Sequence, residues 1–351
     1  MPLPTTFAGV SARGEGLFRR LSNAVVYNNL WFYGINGIYG QSGYTIPDAT
    51  NVSPASNNFT SQPSGLWQMC IDSLGRICMP IVSDSLGTVE FATGLTTKTT
   101  LHLGNTISGG CVLGPDNNVY VSMLSNVGGG EMVATISPSL TVTSYYVTGY
   151  SGAGAQSLCT DGISKIFCFS RGAIGYYNVS SIGTATYLPT VTATGGYGEA
   201  ILYGPDNNIY VTTTYYSGTR TARKSVWYFY QITLSGTVTS YTISDFGGGD
   251  RSGGNALAVG PDGNIYISGS STSSQYAAAA KYNISTGSIT TATSTYSGRP
   301  FTTISLAPNG YFYMPISNDP YYVKMSTSLT FTMYDTSAFS SILFLNMIMG
   351  P

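Results

Sequence analysis

Charged residues are the scarcest class in this chain of 351 residues. Asp, Glu, Lys and Arg together make up 8% of the sequence, whereas they form about 25% of a typical soluble domain. The formal net charge is −1, so the chain has no basic field that would attract nucleic acid or anionic lipid. No stretch approaches the roughly 18 consecutive apolar residues of a membrane span. We therefore expect neither a nucleic-acid partner nor insertion into a membrane.

Histidine and cysteine are also scarce, and their placement argues against a metal centre. The chain has one histidine, His102, and five cysteines: Cys70, Cys78, Cys111, Cys159 and Cys168. No two cysteines have the spacing of zinc ligands, and an odd number does not indicate a disulfide framework. We expect buried thiols in strands, a structural histidine, and no metal or cofactor.

Gly, Ser, Thr, Asn and Tyr are abundant instead. One sequence motif that contains several of them recurs, and we call it the turn phrase. It stands as "GPDNNVYVS" at 114–122, "GPDNNIYVT" at 204–212 and "GPDGNIYIS" at 260–268. Proline presets φ for the first corner of a turn, and aspartate favours the second corner. The phrase therefore predicts a tight turn between an apolar strand and a second strand.

Looser copies of the phrase extend it into a periodic repeat. When the copies are aligned on their central aromatic, seven anchors follow one another at intervals of 42 to 56 residues: Trp31, Cys78, Tyr120, Phe167, Tyr210, Tyr266 and Tyr313. A period in the forties is the length of a four-stranded propeller blade. One turn position must accept a left-handed backbone, and six copies place Asn or Gly there: Asn28, Gly75, Asn117, Asn207, Gly263 and Gly310. The copy at Phe167 departs, with Ser164 at this position.

A second hairpin follows each turn and completes the predicted unit. "SLTVTSYYV" (139–147) and "SGTVTSYTI" (235–243) are near copies with the alternation of half-exposed strands. The sequence thus predicts an all-β fold: a single β-propeller of seven four-stranded blades. Eight blades are the alternative, because "MIMGP" at the end imitates another inner strand and its turn. Blade one, about 23–62, is the most weakly patterned.

The two ends of the chain lie outside the predicted ring. We expect an N-terminal arm at 1–22, the propeller at 23–337 and an apolar segment at 338–351. Leaving that last segment in water would be costly, at roughly 1.5–3 kcal/mol for each large side chain that could be buried. It is expected to pack on the face of the ring, to dock on a neighbouring subunit, or to close the ring by strand exchange into blade one.

The turn phrase resembles that of NHL-type and virginiamycin-B-lyase-like propellers over about residues 65–335. The resemblance implies the propeller fold, with function in channel-mouth loops opposite the turns. The lyases of that family use a histidine and acidic residues around a metal at the mouth. Here His102 lies in "TTLHLGN", on a predicted fourth strand, and Glu199 is the one acid at the predicted starts of inner strands. The family's chemistry therefore does not transfer, and we predict a non-enzymatic protein with no catalytic residues.

A candidate binding site can be predicted on the face opposite the turns. The longest loop there is "TYYSGTRTARKS" (214–225), which accounts for the 56-residue interval between two anchors. Aromatic faces and arginine forks often carry recognition energy, and tyrosines that stack would suit a sugar. The predicted site comprises residues of this loop and of the adjoining inter-blade loops: Tyr197, Glu199, Tyr215, Tyr216, Arg220, Arg223, Asp250 and Arg251.

Composition and the N-terminus together suggest a functional class. A surface rich in Gly, Ser, Thr and Tyr is typical of exported adhesive proteins, yet "MPLPTTFAGVSARGEGLFRRL" has no apolar core of a signal peptide. A virion protein made in the host cytoplasm reconciles these features, and the composition resembles that of tailed-bacteriophage structural proteins. We expect a tail, fibre or surface-decoration protein that contacts other virion proteins and a host-surface glycan or receptor. The alternatives are a lyase- or hydrolase-type propeller enzyme and a cellular protein-binding scaffold.

Overall fold

The fold is all-β. The computed structural model describes residues 29–34, 37–42, 49–50, 69–81, 85–89, 96–100, 106–124, 131–146, 157–170, 173–188, 197–217, 224–243, 246, 256–270, 276–297, 303–316 and 321–335. Within these residues, every regular element is a β-strand. We number the strands, and the sheets that they form, in chain order.

The first three sheets come from the N-terminal half of the chain. Sheet 1 has three described strands: β1 (Asn29–Gly34), β2 (Gly37–Ser42) and β3 (Ala49–Thr50). Sheet 2 consists of β4 (Cys70–Ile71), β5 (Ile77–Ile81), β6 (Ser85–Val89) and β7 (Thr96–Thr100). Sheet 3 consists of β8 (Thr106–Leu113), β9 (Val119–Leu124), β10 (Glu131–Ile136) and β11 (Val142–Tyr146).

Four further four-stranded sheets follow. Sheet 4 consists of β12 (Ser157–Thr160), β13 (Lys165–Ser170), β14 (Ala173–Asn178) and β15 (Thr186–Leu188). Sheet 5 consists of β16 (Tyr197–Tyr203), β17 (Ile209–Ser217), β18 (Lys224–Ile232) and β19 (Val238–Thr242). Sheet 6 consists of β20 (Leu257–Val259), β21 (Ile265–Ser270), β22 (Tyr276–Asn283) and β23 (Ser288–Ser297). Sheet 7 consists of β24 (Ser305–Leu306), β25 (Phe312–Pro315), β26 (Tyr321–Met325) and β27 (Phe331–Asp335).

Each sheet is an antiparallel meander whose strand order follows the chain. The first strands of sheets 2 to 7 contact one another in succession, from β4 to β8 and on to β24. This arrangement is that of propeller blades, which place their first strands around a common centre. The predicted all-β propeller is therefore confirmed, and the seven sheets in the described residues are consistent with seven blades.

The hydrophobic core lies between neighbouring sheets. Between sheets 5 and 6, one buried cluster combines Tyr210 and Phe229 with Leu257, Ile267 and Tyr282. The rings of Tyr210 and Phe229 stack with their centroids 5.5 Å apart, an arrangement that adds attraction to the burial of apolar area. Comparable clusters join sheets 2 and 3, 3 and 4, 4 and 5, and 6 and 7. All five cysteines are buried thiols that form no disulfide with one another, as the sequence predicts.

The left-handed turn positions are also as predicted. Positive φ angles occur at five of the aligned positions: Gly75, Asn117, Asn207, Gly263 and Gly310. In the departing copy, the left-handed residue is Gly162 (φ 68°) rather than Ser164. The sixth aligned residue, Asn28, lies outside the described residues, as do the N-terminal arm at 1–22 and the segment at 338–351.

Candidate functional site

A triad of side chains explains the repeated phrase at one edge of the sheets, which we call the turn edge: the turns that join first to second strands. In sheet 5, the Tyr210 hydroxyl and the Asn208 amide both donate to Asp206 Oδ2, at 2.7 Å each. Sheets 3 and 6 repeat this geometry around Asp116 and Asp262, at 2.8 and 2.9 Å. The three aspartates therefore hold the turn together, as the sequence predicts for them.

The glycine of the phrase makes room for the tyrosine ring in sheets 3, 5 and 6. A Cβ atom added to Gly204 would lie 2.4 Å from Cε2 of Tyr210, and the same clash recurs at 2.3 Å in sheets 3 and 6. The ring lies directly over the glycine Cα, so that its hydroxyl reaches the aspartate. In sheet 7, where Ala307 takes the place of the glycine, the amide of Asn309 donates to the Tyr313 hydroxyl at 3.0 Å.

A fourth residue ties the triad to the next sheet. In sheet 5, Gln231 Nε2 lies 3.3 Å from Asp206 Oδ2 and 3.2 Å from the Tyr210 hydroxyl, and its Oε1 accepts from Tyr282 of sheet 6 at 3.1 Å. In sheet 6, Lys281 Nζ pairs with Asp262 Oδ2 at 2.7 Å. The turn edge is thus a chain of polar contacts that crosses between sheets.

The protonation of these groups suits a structural role. Burial, reinforced by the neighbouring carboxylate, raises the pKa of Tyr210 and of Tyr266 far above the usual range of a phenol. Both phenols therefore remain neutral donors. Burial alone would raise the pKa of Asp262, but hydrogen bonds from Lys281, Asn264 and Tyr266 outweigh it and lower that pKa. The hydrogen bond between the tyrosine and the aspartate therefore stabilises the turn.

Two residues of the predicted binding site lie in a strand rather than in an inter-blade loop. Tyr197 and Glu199 belong to β16, the first strand of sheet 5, which begins at Tyr197 rather than at Glu199, its predicted start. Tyr197 pairs with Thr214, and the register shifts between Gly198 and Ala200, which places Glu199 at a β-bulge. The strand begins earlier than the sequence suggests because β17 is long enough to pair with it. Bulges often re-aim a side chain at a functional site.

The predicted loop at 214–225 is also shorter than expected. β17 and β18 pair without interruption as far as Ser217 and Lys224, with Tyr215 opposite Val226 and Tyr216 opposite Ser225. Both tyrosines therefore lie in a strand. The β-branched and aromatic residues of "VTTTYYS" and "KSVWYFYQI" favour strand pairing over a loop, and the remaining connection is 218–223.

The structure brings four predicted residues to the same end of sheet 5. They lie at the end remote from the Asp206 turn, on two strands that pair directly: Tyr197, Glu199, Tyr215 and Tyr216. The other four predicted residues lie outside the described residues: Arg220, Arg223, Asp250 and Arg251. His102 lies outside them as well.

Sequence reasoning missed Trp227, which pairs with Thr214 at this end of the sheet. Its side chain is buried against Phe246, and its Nε1 has no hydrogen-bond partner among the described residues. The aromatic run "VWYFY" marks the strand but not this feature, because burial of an indole nitrogen depends on the neighbouring sheet.

Among the described residues, no group of three or more His, Cys, Asp or Glu side chains is placed to hold a metal ion. None of the described residues forms a helix that could span a membrane.

Comparison with known proteins supports the fold. A streptogramin B lyase structure is 14% identical, with a TM-score of 0.60 over 89% of this chain and 89% of that one. A catalytically inactive virginiamycin B lyase from Staphylococcus aureus, solved with quinupristin, is 14% identical, with a TM-score of 0.59 over 80% and 86%. Hydrazine synthase from Kuenenia stuttgartiensis is 12% identical, with a TM-score of 0.53 over 84% and 81%. No protein-family model and no curated protein matches the chain.

Identities of this size show the fold and leave the activity open. The chain therefore shares the propeller fold of the virginiamycin-B-lyase-like proteins that its turn phrase resembles.

Proposed function

We propose that this protein is a non-enzymatic structural protein of a tailed-phage virion, in a tail, fibre or surface-decoration position. The supporting observation is its composition, with 8% charged residues and abundant Gly and Tyr. A surface of hydroxyl and phenol groups makes many neutral hydrogen bonds, which do not weaken as salt changes. Such a surface suits contacts between virion proteins and attachment outside a cell.

Binding is proposed at the end of sheet 5 remote from the turn edge. β17 and β18 have nine residues each, whereas the second strands β9, β13 and β21 have six. Three further residues lengthen a strand by about 10 Å. The paired strands therefore carry Tyr215 and Tyr216 farther from the turn edge than the described second strands of those sheets reach.

The proposed ligand is a host-surface glycan. Tyr197, Tyr215 and Tyr216 are concentrated on two paired strands, about 4.8 Å apart in the hydrogen-bonding direction. Tyrosines supply rigid apolar area with a polar tip, the combination that recognises a sugar ring and its hydroxyls. Arg220 and Arg223 follow in the same hairpin and would add hydrogen-bond donors.

The test replaces Tyr215, Tyr216, Arg220 and Arg223 with alanine. We expect attachment to host cells to fall at least tenfold while incorporation into particles is retained. Tyr311→Ala is the matched control, because Tyr311 is 38% exposed at the opposite edge of the molecule. Circular dichroism and melting would verify that each variant folds. Wild-type attachment by a folded quadruple variant would show that this hairpin is not the site.

The virion assignment has its own test. Tail or capsid genes on both sides of the coding gene, and the protein in purified particles, are the expected findings. A cellular gene with a soluble partner would favour the scaffold alternative instead. Turnover of a small molecule that is lost on removing a bound divalent ion would favour the enzyme alternative.

A further inference from the structure

Two buried polar groups of sheet 5 have no partner within the described part of the chain. Trp227 is 1% exposed and Thr212 is 0% exposed. Neither the indole Nε1 of Trp227 nor the hydroxyl of Thr212 makes a hydrogen bond to a described residue. A buried polar group without a partner costs free energy and is rare in native proteins. The pair therefore indicates a hydrogen-bonding partner that is not part of the chain.

The two groups lie on the same face of sheet 5. Thr212 of β17 pairs directly with Phe229 of β18, and directly paired residues share a face. Phe229 and Trp227 are two positions apart in β18 and belong to the same buried cluster between sheets 5 and 6. Thr212 and Trp227 are therefore diagonal neighbours across the two strands, at a separation of about 7–8 Å that an aromatic side chain can span.

The same face of sheet 5 is satisfied differently at the turn edge. There the Tyr210 hydroxyl donates to Asp206 at 2.7 Å and lies 3.2 Å from Gln231 Nε2. Side chains of the chain itself supply these contacts. Trp227 instead packs against the ring of Phe246, with the centroids 6.2 Å apart, and that side chain has no oxygen or nitrogen atom to accept from the indole.

We propose that one water molecule is bound between sheets 5 and 6 and joins Trp227 Nε1 to the Thr212 hydroxyl. The water accepts from the indole, since an indole nitrogen can only donate, and the hydroxyl can donate to the water or accept from it. Two protein partners are within the range that buried waters use. This site is independent of the glycan site proposed above.

A competing acceptor for the indole is the face of the Phe246 ring. The two rings meet edge to face, with an angle of 84° between their planes. A hydrogen bond from N–H to an aromatic face is weak, and it would leave the Thr212 hydroxyl without a partner. A bound water accounts for both groups, so the observations favour it.

The sign of one substitution tests the proposal. Thr212→Val keeps the branched shape of the side chain and removes its hydroxyl. We expect the urea midpoint of unfolding to fall, because the bound water loses a partner, whereas removing an unpaired buried hydroxyl would raise the midpoint. Thr135→Val in sheet 3 is the matched control. The buried Thr135 hydroxyl donates directly to the Thr143 carbonyl at 3.3 Å, so that midpoint should also fall.

Nuclear magnetic resonance would observe the water directly. The chain has three tryptophans, and Trp31→Phe and Trp67→Phe would assign the indole signal of Trp227 in isotope-labelled protein. We expect a water-to-indole Overhauser cross-peak at Nε1–H. Slow exchange of that hydrogen with bulk solvent would show that the cross-peak comes from a bound water. The cross-peak should be lost in Thr212→Val and retained in Thr212→Ser, which keeps the hydroxyl.

Three outcomes would overturn the proposal, once circular dichroism has established that the variants fold. A raised or unchanged urea midpoint of Thr212→Val would show that no water bonds to this hydroxyl. A protected Trp227 indole hydrogen without a water cross-peak would leave the Phe246 ring as its acceptor. A cross-peak that persists in Thr212→Val would show that the water does not join the two groups.

Discussion

Sheets 5 and 6 carry almost the same turn phrase but complete it with different partners. Gln231 stands opposite Tyr210 on the third strand of sheet 5, and Lys281 stands opposite Tyr266 at the same position of sheet 6. The Gln231 amide extends the network to the Tyr282 hydroxyl of sheet 6. That hydroxyl lies 3.0 Å from the Tyr241 hydroxyl of sheet 5. The ammonium group pairs with Asp262 and reaches the Thr327 carbonyl of sheet 7 at 3.4 Å.

The comparison separates two tasks of the turn edge. Gly, Asp, Asn and Tyr set the local shape of the turn, and the residue across from the tyrosine adds a contact to the next sheet. A neutral amide makes that contact in sheet 5, and a cation makes it in sheet 6. In sheet 6 the Tyr266 hydroxyl also lies 3.1 Å from the Thr327 carbonyl oxygen. The amide and the cation should, however, respond differently to pH and to salt.

Sheet 4 shows what happens when the aromatic anchor is not a tyrosine. Phe167 has no hydroxyl, and Asp161 occupies the position of the glycine. Asp161 Oδ1 accepts from the backbone nitrogens of Ile163, Ser164 and Lys165, at 2.9, 2.8 and 2.9 Å. The carboxylate binds its own turn instead of a phenol, so the sheet dispenses with the Gly–Tyr pair.

The largest expected effect is that of Gly204→Ala or Gly260→Ala. The new methyl group would lie within 2.4 Å of the tyrosine ring and would displace the ring from its aspartate. We expect each change to lower the free energy of unfolding by about 2–3 kcal/mol, as overpacking does. Gly183→Ala, where nothing lies within 4 Å of the added Cβ, is the control for urea denaturation. Equal stability of Gly204→Ala and Gly183→Ala would refute the proposed packing requirement.

An intermediate effect is expected from Tyr210→Phe and Tyr266→Phe. Each keeps the ring but removes the donor to the aspartate, which should cost about 1–2 kcal/mol of unfolding free energy. A double-mutant cycle sharpens the comparison between the sheets. Tyr210→Phe should couple energetically with Gln231→Leu, because the two side chains are 3.2 Å apart. Tyr266→Phe, in sheet 6, should not couple with Gln231→Leu. Equal coupling in both cycles would contradict the assignment of Gln231 to the sheet 5 triad.

The smallest effect is expected from Lys281→Met, about 1 kcal/mol or less, because both partners of the ion pair are partly exposed. The folded-state pKa of Asp262 is lowered, so its stabilisation is present above the unfolded pKa of about 3.9. It is lost as the pH falls through the folded pKa. The difference between wild type and Lys281→Met should therefore shrink below about pH 4 and at high salt.

Gln231→Met provides the contrast for that measurement. It removes a neutral partner at the same register position, so high salt should leave its effect on unfolding nearly unchanged. A salt response equal to that of Lys281→Met would remove the distinction between the two sheets. Melting curves at two ionic strengths are sufficient for the comparison.

The candidate site was less predictable than the fold. The position of Tyr215 in a loop was inferred from the interval between anchors, which measures chain length but not how far two strands stay paired. The pairing of Ser217 with Lys224 depends on both strands together. The same holds for Glu199, because a bulge is a relation between two strands and has no signature in one of them.

The sequence by itself determined the repeat, the left-handed turn positions and the order of strands within a sheet, since each depends on residues close together in the chain. Asn207 and Gly263 could be assigned because backbone sterics act locally. Only the tertiary structure decided that Gln231 meets Tyr282 and that Lys281 meets Thr327. These pairs are 51 and 46 residues apart. They meet because neighbouring sheets pack face to face, and that packing sets which side chains come within hydrogen-bonding distance.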